Sequence, residues 1–418
     1  MYKAKLFNSI NSPNNGDPIL KILVILYAMH KILPAVGFYM PAIVYFGIFA
    51  ILLIYLLINR SPLKNYLTLF AIFSISFLKV FIYLFSWKVA AIPTYLYGEF
   101  QILLFGMISL YYLNLDLDCQ KKIMKYILLM YLFTAVTTYI GCIRFPEAPR
   151  YLATLSQEMA LYNTYVSSNI GGFTFIYELV LITPLFVYLT KSKKLNPIIG
   201  ILIIAFIGVT FVKAQYTTAL IMYILSLLVL CIPRINTKKI MIIVAVALVL
   251  IIANISFFAE FFDKLSTSVE SDVFSTRFEY ISDALGGEAS DVEGTGDRIS
   301  LYKKSWNAFV NSWFMGDWST RGSAGGHSFF FDTLAVYGLA GFVCMIIMYT
   351  LIYQQFIRPY KDSDAYPYCL WSFMVGIILA VINPKTYMFI LIFVLPLFGN
   401  ISLCTKRSVY DEHLMDSK

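Results

Sequence analysis

Long apolar runs alternate with short polar connections from one end of the chain to the other. They lie near 19–36, 40–58, 66–85, 98–115, 123–143, 171–190, 197–212, 216–232, 240–257, 329–356, 368–383 and 386–404. A bilayer core is crossed by about 20 apolar helical residues. It offers backbone groups no partner outside a helix or a closed barrel. The pattern therefore predicts an all-α integral membrane protein with about 12 transmembrane helices. Several runs are short for a crossing, most clearly the seventh and eighth, which only Lys213-Ala-Gln215 separates. The first 17 residues are polar and lead into Ile19–Val36 without a small-residue cleavage site, so that run is expected to be an uncleaved first span.

Composition agrees with this class. Over 418 residues the chain is 59% hydrophobic and 13% charged, with a mean hydropathy of +0.74, far from the usual soluble range. The basic residues then set the orientation. Alternate connections carry Arg60 and Lys64; Lys121, Lys122 and Lys125; Lys191, Lys193 and Lys194; Arg234, Lys238 and Lys239; Arg358 and Lys361; and Lys406 and Arg407. The short connections between them hold only Lys88, Arg144, Arg150, Lys213 and Lys385. By the positive-inside rule the basic set and both termini are expected in the cytoplasm. The net charge of +8 is mostly this bias and does not imply nucleic acid. Six scattered cysteines show no CxxC or metal-ligand spacing and read as small packing residues.

The chain divides into three parts: an N-terminal bundle over 1–257, a long loop over 258–328 and a C-terminal set of spans with a cytoplasmic tail over 329–418. The orientation puts the loop outside the cytoplasm. It holds 11 of the 24 acidic residues, and Gly286–Asp297 reads as a solvated linker. Beyond it, Asp297 is placed to cap a helix running to about Trp313. Ile299, Tyr302, Trp306, Phe309, Val310 and Trp313 share one face at about 100° per residue. Such a helix suits the membrane interface or the side of the bundle. Arg298 sits in its first turn, where free N–H groups and the helix dipole already favour anions.

The loop ends in Gly316-Asp-Trp-Ser-Thr-Arg321-Gly-Ser-Ala-Gly-Gly326-His327, and an apolar helix comes next. His327 and Ser328 are followed by nine residues, then Gly338 and Gly341. This order (arginine, Trp-containing helix, glycine-rich turn, His-Ser, then Gly-x-x-Gly entering a span) resembles the loop-to-span segment of the bacterial O-antigen polymerase and O-antigen ligase superfamily. The resemblance covers about 297–343, with the late position of the long loop as further support. It implies a GT-C-like helical glycosyltransferase in the bacterial cytoplasmic (inner) membrane. Its substrate would be an undecaprenyl-diphosphate-linked oligosaccharide, its surroundings membrane lipid, and its partners chain-length regulator and flippase proteins. Members often carry Ser-Arg where this chain has only Lys213 nearby, and lysine lacks the bidentate fork of arginine.

The chemistry is also arguable from the residues. A sugar hydroxyl must attack an anomeric carbon while a diphosphate leaves. Histidine, with an unperturbed pKa of about 6.5, suits the base, which makes His327 the candidate catalytic residue. Fixed cations lower the barrier as charge develops on the leaving group. Arg298, Arg321, Lys213 and Arg150 are the candidates, with Arg277 also on that side. The donor carries its own activation, so no nucleotide, metal or other cofactor is expected.

Other polar residues are less informative. His30 reads as an interfacial residue, and His413 falls in the cytoplasmic tail. Lys79 is charged within a span. Glu99 and Glu178 either bind sugar hydroxyls or pair with Lys79. The form Gly-His-Ser-(apolar)3-Asp-Thr-Leu looks like the polymerases, which favours polymerisation of repeat units into O-antigen or capsular polysaccharide. The alternatives are a ligase transferring finished glycan to a lipid A core, and a flippase or transporter of lipid-linked sugars. Twelve spans with both ends inside is also a transporter layout, but no internal repeat is seen.

Overall fold

A computed structural model describes residues 17–58, 92–154, 159–232, 255–268, 296–316, 328–384 and 386–416, with short fragments between them. These residues are helical and contain no strand. In chain order the helices are α1 (Pro18–Ile32), α2 (Pro34–Tyr39), α3 (Ala42–Ile58), α4 (Ile92–Leu113), α5 (Leu117–Arg144), α6 (Ala148–Thr154), α7 (Met159–Ser167), α8 (Phe173–Lys191), α9 (Pro197–Ala214) and α10 (Thr217–Cys231). α11 (Ile255–Ser268), α12 (Gly296–Asn311), α13 (Phe329–Ile352), α14 (Tyr366–Ile382) and α15 (Leu395–Asp416) complete the set. Leu117–Arg144, Phe173–Lys191, Pro197–Ala214 and Phe329–Tyr360 are long and apolar enough to cross a membrane. Shorter apolar helices cover Ala42–Ile58, Phe100–Leu113, Thr217–Cys231, Tyr366–Ile382 and Ile390–Lys406. The apolar runs that fall on described residues are helical, as befits a membrane protein, except that the expected first span 19–36 breaks at the extended Leu33 before Pro34; those near 66–85 and 240–257 lie almost wholly outside the described residues.

Short polar signals fix the helix starts. Asp17 accepts from the Ile19 N–H (2.8 Å), Asp116 from the Cys119 N–H (2.6 Å) and Asn196 from the Ile198 N–H (3.0 Å). Proline stands in the first turn of α1 and of α9, where its missing N–H costs nothing. α9 closes on Gln215 in the left-handed region (φ 58°), which turns the chain into α10 within three residues.

α8 is the central helix. Every residue from Phe175 to Tyr188 is buried, and α9, α10 and α14 pack around it. Lipid gives such helices little hydrophobic reason to associate, so packing and interhelical hydrogen bonds matter. Trp371 Nε1 donates to Ser226 Oγ (2.9 Å), Ser372 Oγ to the Leu181 carbonyl (2.8 Å) and Asn400 Nδ2 to Gln120 Oε1 (2.9 Å). These bonds tie α14 to α10 and α8, and α15 to α5.

Two expectations change. The run 329–356 is not one rod, because the helix breaks at Gly338 (φ 62°, ψ −163°). The Phe330 ring lies 5.9 Å from Phe342 and 6.2 Å from Tyr349, 12 and 19 residues further on. A straight helix would separate them by about 18 and 28 Å, so the arm 329–337 folds back on the residues beyond the break. The continuous part runs from Leu339 through a π-helical turn at Tyr353–Ile357 to Tyr360.

The second change concerns α12, which starts one residue before Asp297 and ends at Asn311, short of Trp313. Its packed side is Leu301, Tyr302, Ser305, Ala308, Phe309 and Ser312, whereas Trp306, Val310 and Trp313 are exposed. The contact face is thus rotated about a quarter turn from the apolar face read at 100° per residue. Small residues on that side permit close approach, and Ser305 donates a hydrogen bond there. The first part of the loop is also helical, since α11 runs past the expected span end at 257.

Candidate functional site

The break in α13 is built by backbone contact. After α12 the chain turns through Trp313–Gly316 and docks against the Gly338 break. The Leu339 N–H donates to the Trp313 carbonyl (2.8 Å) and the Ala340 N–H to the Phe314 carbonyl (3.1 Å). A Cβ at Gly338 would sit 2.5 Å from the Phe314 carbonyl, and one at Gly316 (φ 77°) 2.3 Å from that of Val336. Gly341 faces the Tyr337 Cβ at a similarly forbidding 2.1 Å. The Gly-x-x-Gly pair therefore has a mechanical role: one glycine makes the fold-back and the other lets the two limbs close.

The fold-back sets Ser328 and Phe329, the residues that follow His327, on the end of α14. Ser328 is the N-cap of α13: its Oγ accepts from the Phe331 N–H (3.1 Å) and donates to the Val381 carbonyl. The Phe329 N–H donates to the Asn383 carbonyl (3.0 Å), and Tyr302 Oη of α12 to that of Ile382 (3.1 Å). Tyr302 stacks on Phe331 at 5.5 Å.

Asp332 gathers these pieces. Its Oδ1 accepts from Ser305 Oγ (2.8 Å) and from the Gly326 N–H (3.1 Å), and its Oδ2 from the Ser328 N–H (3.2 Å). One carboxyl thus holds the backbone on both sides of His327 and ties it to α12. Ser305 and Ser328 are buried (1% and 0% exposed), so their bonds to Asp332 are protected from water. His327 itself lies outside the described residues, as do Arg321, Arg277 and Lys79.

The remaining candidates divide. Arg298 is in the first turn of α12, the helix that packs along the arm of α13; its side chain lies outside the described part, as do those of Arg150 on α6 and Glu99 on α4. Lys213 is exposed at the end of α9, within electrostatic reach of Cys142 on α5. Arg150 and Lys213 belong to neighbouring elements, because Tyr216 Oη donates to the Pro149 carbonyl (2.7 Å). A row of rings leads from there toward the histidine turn: Tyr216 lies 6.0 Å from Tyr177, and Tyr177 6.2 Å from Tyr387. Glu178 does not stand free: Tyr131 Oη donates to its Oε2 (2.8 Å). His30 stacks on Tyr45 at 3.5 Å.

Sequence reasoning missed Asp332, Ser305 and Asn383. A signal was present for the first, as Asp332 is the only charged residue in the run 329–356. Ionisable residues in such runs mark function or fixed pairing. Ser305 and Asn383 carry no comparable signal. A search against family models and curated proteins returned no match to this chain.

Proposed function

We propose that this chain is a membrane glycosyltransferase that polymerises lipid-diphosphate-linked oligosaccharide repeat units at the outer face of the bacterial cytoplasmic membrane. In this reading twelve helices of GT-C-like arrangement cross the bilayer, both termini are cytoplasmic, and the loop 258–328 covers the outer mouth. The observation that carries it is the Asp332 carboxyl, which grips the Gly326 and Ser328 N–H groups on either side of His327. A flexible linker has no need of such a clamp, whereas a general base must be held within hydrogen-bond reach of the proton it takes.

The reaction is built on that placement. His327 takes the proton of an acceptor hydroxyl as its oxygen bonds to the anomeric carbon of the donor sugar. The bond from that carbon to the diphosphate breaks, and the diphosphate leaves with the electron pair on its lipid. Arg298, with Arg321, Lys213 and Arg150 as the further candidates, offsets the charge that develops. Direct attack inverts the anomeric configuration.

The test is elongation by the purified protein in detergent, supplied only with the lipid-diphosphate oligosaccharide, where transport has no meaning. Longer lipid-linked glycans with the wild type and none with His327→Ala support the reading. A folded His327→Ala protein with normal turnover removes His327 from the chemistry, and no elongation by the wild type returns the chain to the ligase and transporter readings.

A further inference from the structure

Beneath the folded arm of α13 lies a group of polar atoms that the fold does not satisfy. Among the described residues, Asn383 Nδ2, Tyr387 Oη and Tyr349 Oη are buried without a hydrogen-bond partner. Their residues are 1%, 4% and 5% exposed. They lie together: the Tyr177 ring is 6.2 Å from that of Tyr387, and Tyr349, Glu178 and the Asn383 side chain all lie close to the Tyr387 hydroxyl. A buried polar group left unpaired is costly, more so where lipid excludes water. Tyr387 is in addition held at φ 50°, a conformation an L-residue adopts at a cost. Side chains that merely fill space avoid both penalties.

The chemistry of the lining selects its occupant. It offers an amide, the Tyr349 and Tyr387 hydroxyls and the Glu178 carboxyl, beside the rings of Tyr177, Tyr387 and Phe173, the last 4.8 Å from Tyr177. Lys31 is within electrostatic reach of Glu178 and partly balances it. A carboxyl at the centre disfavours phosphate. Donors and acceptors interleaved with ring faces fit an uncharged polyhydroxylated group, a sugar ring with its hydroxyls.

The position matters as much as the lining. Asn383 presents its side chain to the cluster while its carbonyl accepts from the Phe329 N–H, two residues after His327. We infer that Glu178, Asn383, Tyr387 and Tyr349 form a sugar-binding subsite next to the histidine turn. In the proposed polymerase, on which the role though not the chemistry rests, it holds the acceptor sugar whose hydroxyl His327 deprotonates. Phe330 packs on Tyr349 at its edge, which puts the subsite directly under the arm that carries Asp332.

The experiment uses the full-length protein in detergent and two probes: the lipid-diphosphate oligosaccharide, and the same oligosaccharide released from its lipid by mild acid. Binding of the released glycan is read by saturation-transfer NMR, and elongation of the lipid-linked form by kcat and KM. Each lost hydrogen bond to a sugar hydroxyl is worth about tenfold in affinity. Tyr387→Phe and Glu178→Gln are therefore expected to bind the released glycan about tenfold more weakly than wild type, and to raise the acceptor KM more than they lower kcat. Tyr349→Phe supplies a second hydroxyl deletion, and an unchanged thermal transition certifies each variant as folded. Released glycan that binds the wild type and all folded variants alike, or none of them, means that the cluster holds structural water only and overturns the subsite. Binding that depends on the cluster in a protein that never elongates keeps the subsite and removes the polymerase.

Discussion

Replacing Asp332 by alanine tests the clamp on the histidine turn without touching His327. The carboxyl accepts three hydrogen bonds, from Ser305 Oγ, the Gly326 N–H and the Ser328 N–H. Gly326 is exposed, and water replaces its bond at little cost. Ser305 and Ser328 are buried, so two donors lose their partner inside the protein. At about 1–3 kcal/mol for each stranded group, the turn loses roughly 2–6 kcal/mol of local stability. A value near 3 kcal/mol corresponds to about a hundredfold larger open population of the turn. Hydrogen exchange of the amides from Gly326 to Phe331 should therefore accelerate by about that factor, while the amides of α8 stay as they were. If the chain is the proposed polymerase, its turnover should fall by a similar factor with little change in acceptor KM, because the proposed base is present but seldom in place. Asp332→Asn keeps one acceptor oxygen and should fall between. Unchanged exchange at 326–331 in the alanine variant would falsify the clamp. Faster exchange with normal turnover would leave the clamp standing and remove its link to catalysis.

Other parts of the structure lead to further outcomes. Gly338→Ala forces a Cβ to 2.5 Å from the Phe314 carbonyl at a φ of 62°, and should destabilise the fold by about 3 kcal/mol or more, combining overpacking with backbone strain; a wild-type melting temperature refutes the fold-back. Ser328→Ala removes the cap of α13 and should cost about 1 kcal/mol, read as faster exchange in its first turn. The Asp116 carboxyl is held below its ordinary value of 3.8, chiefly by the Cys119 N–H. A lowered folded-state pKa stabilises above the unfolded value and the effect vanishes as pH falls below it. Asp116→Ala should accordingly cost about 1 kcal/mol at pH 7 and less once the pH has fallen through the lowered folded-state value, where only the neutral acid's weaker cap remains; a constant gap across that range contradicts the cap. Trp306 and Trp313 are about half exposed. In vesicles, lipids brominated near the headgroup should quench them, and changing both to Phe should abolish that component; equal quenching in the variant means the exposed face of α12 does not touch lipid.

Much of this protein is legible in one dimension. Apolar runs predict most helices, because a helix in an apolar setting depends on its own residues and their immediate neighbours. Gly338 and Gly341 stood out in the sequence too. What those glycines do was not. The break of α13 depends on the Trp313–Gly316 turn meeting Gly338 backbone to backbone, a contact across more than 20 residues that no periodicity encodes. The packed face of α12 was misjudged for a related reason. A helix read alone shows which side is apolar, and only its neighbour shows which side is small enough to be approached and where a hydroxyl finds a carboxylate. Asp332, Ser305 and the Asn383–Tyr387 cluster gain their roles from helices hundreds of residues apart in sequence or from a chain that doubles back. Local sequence thus determined the helices, and long-range packing alone decided the turn they hold in place.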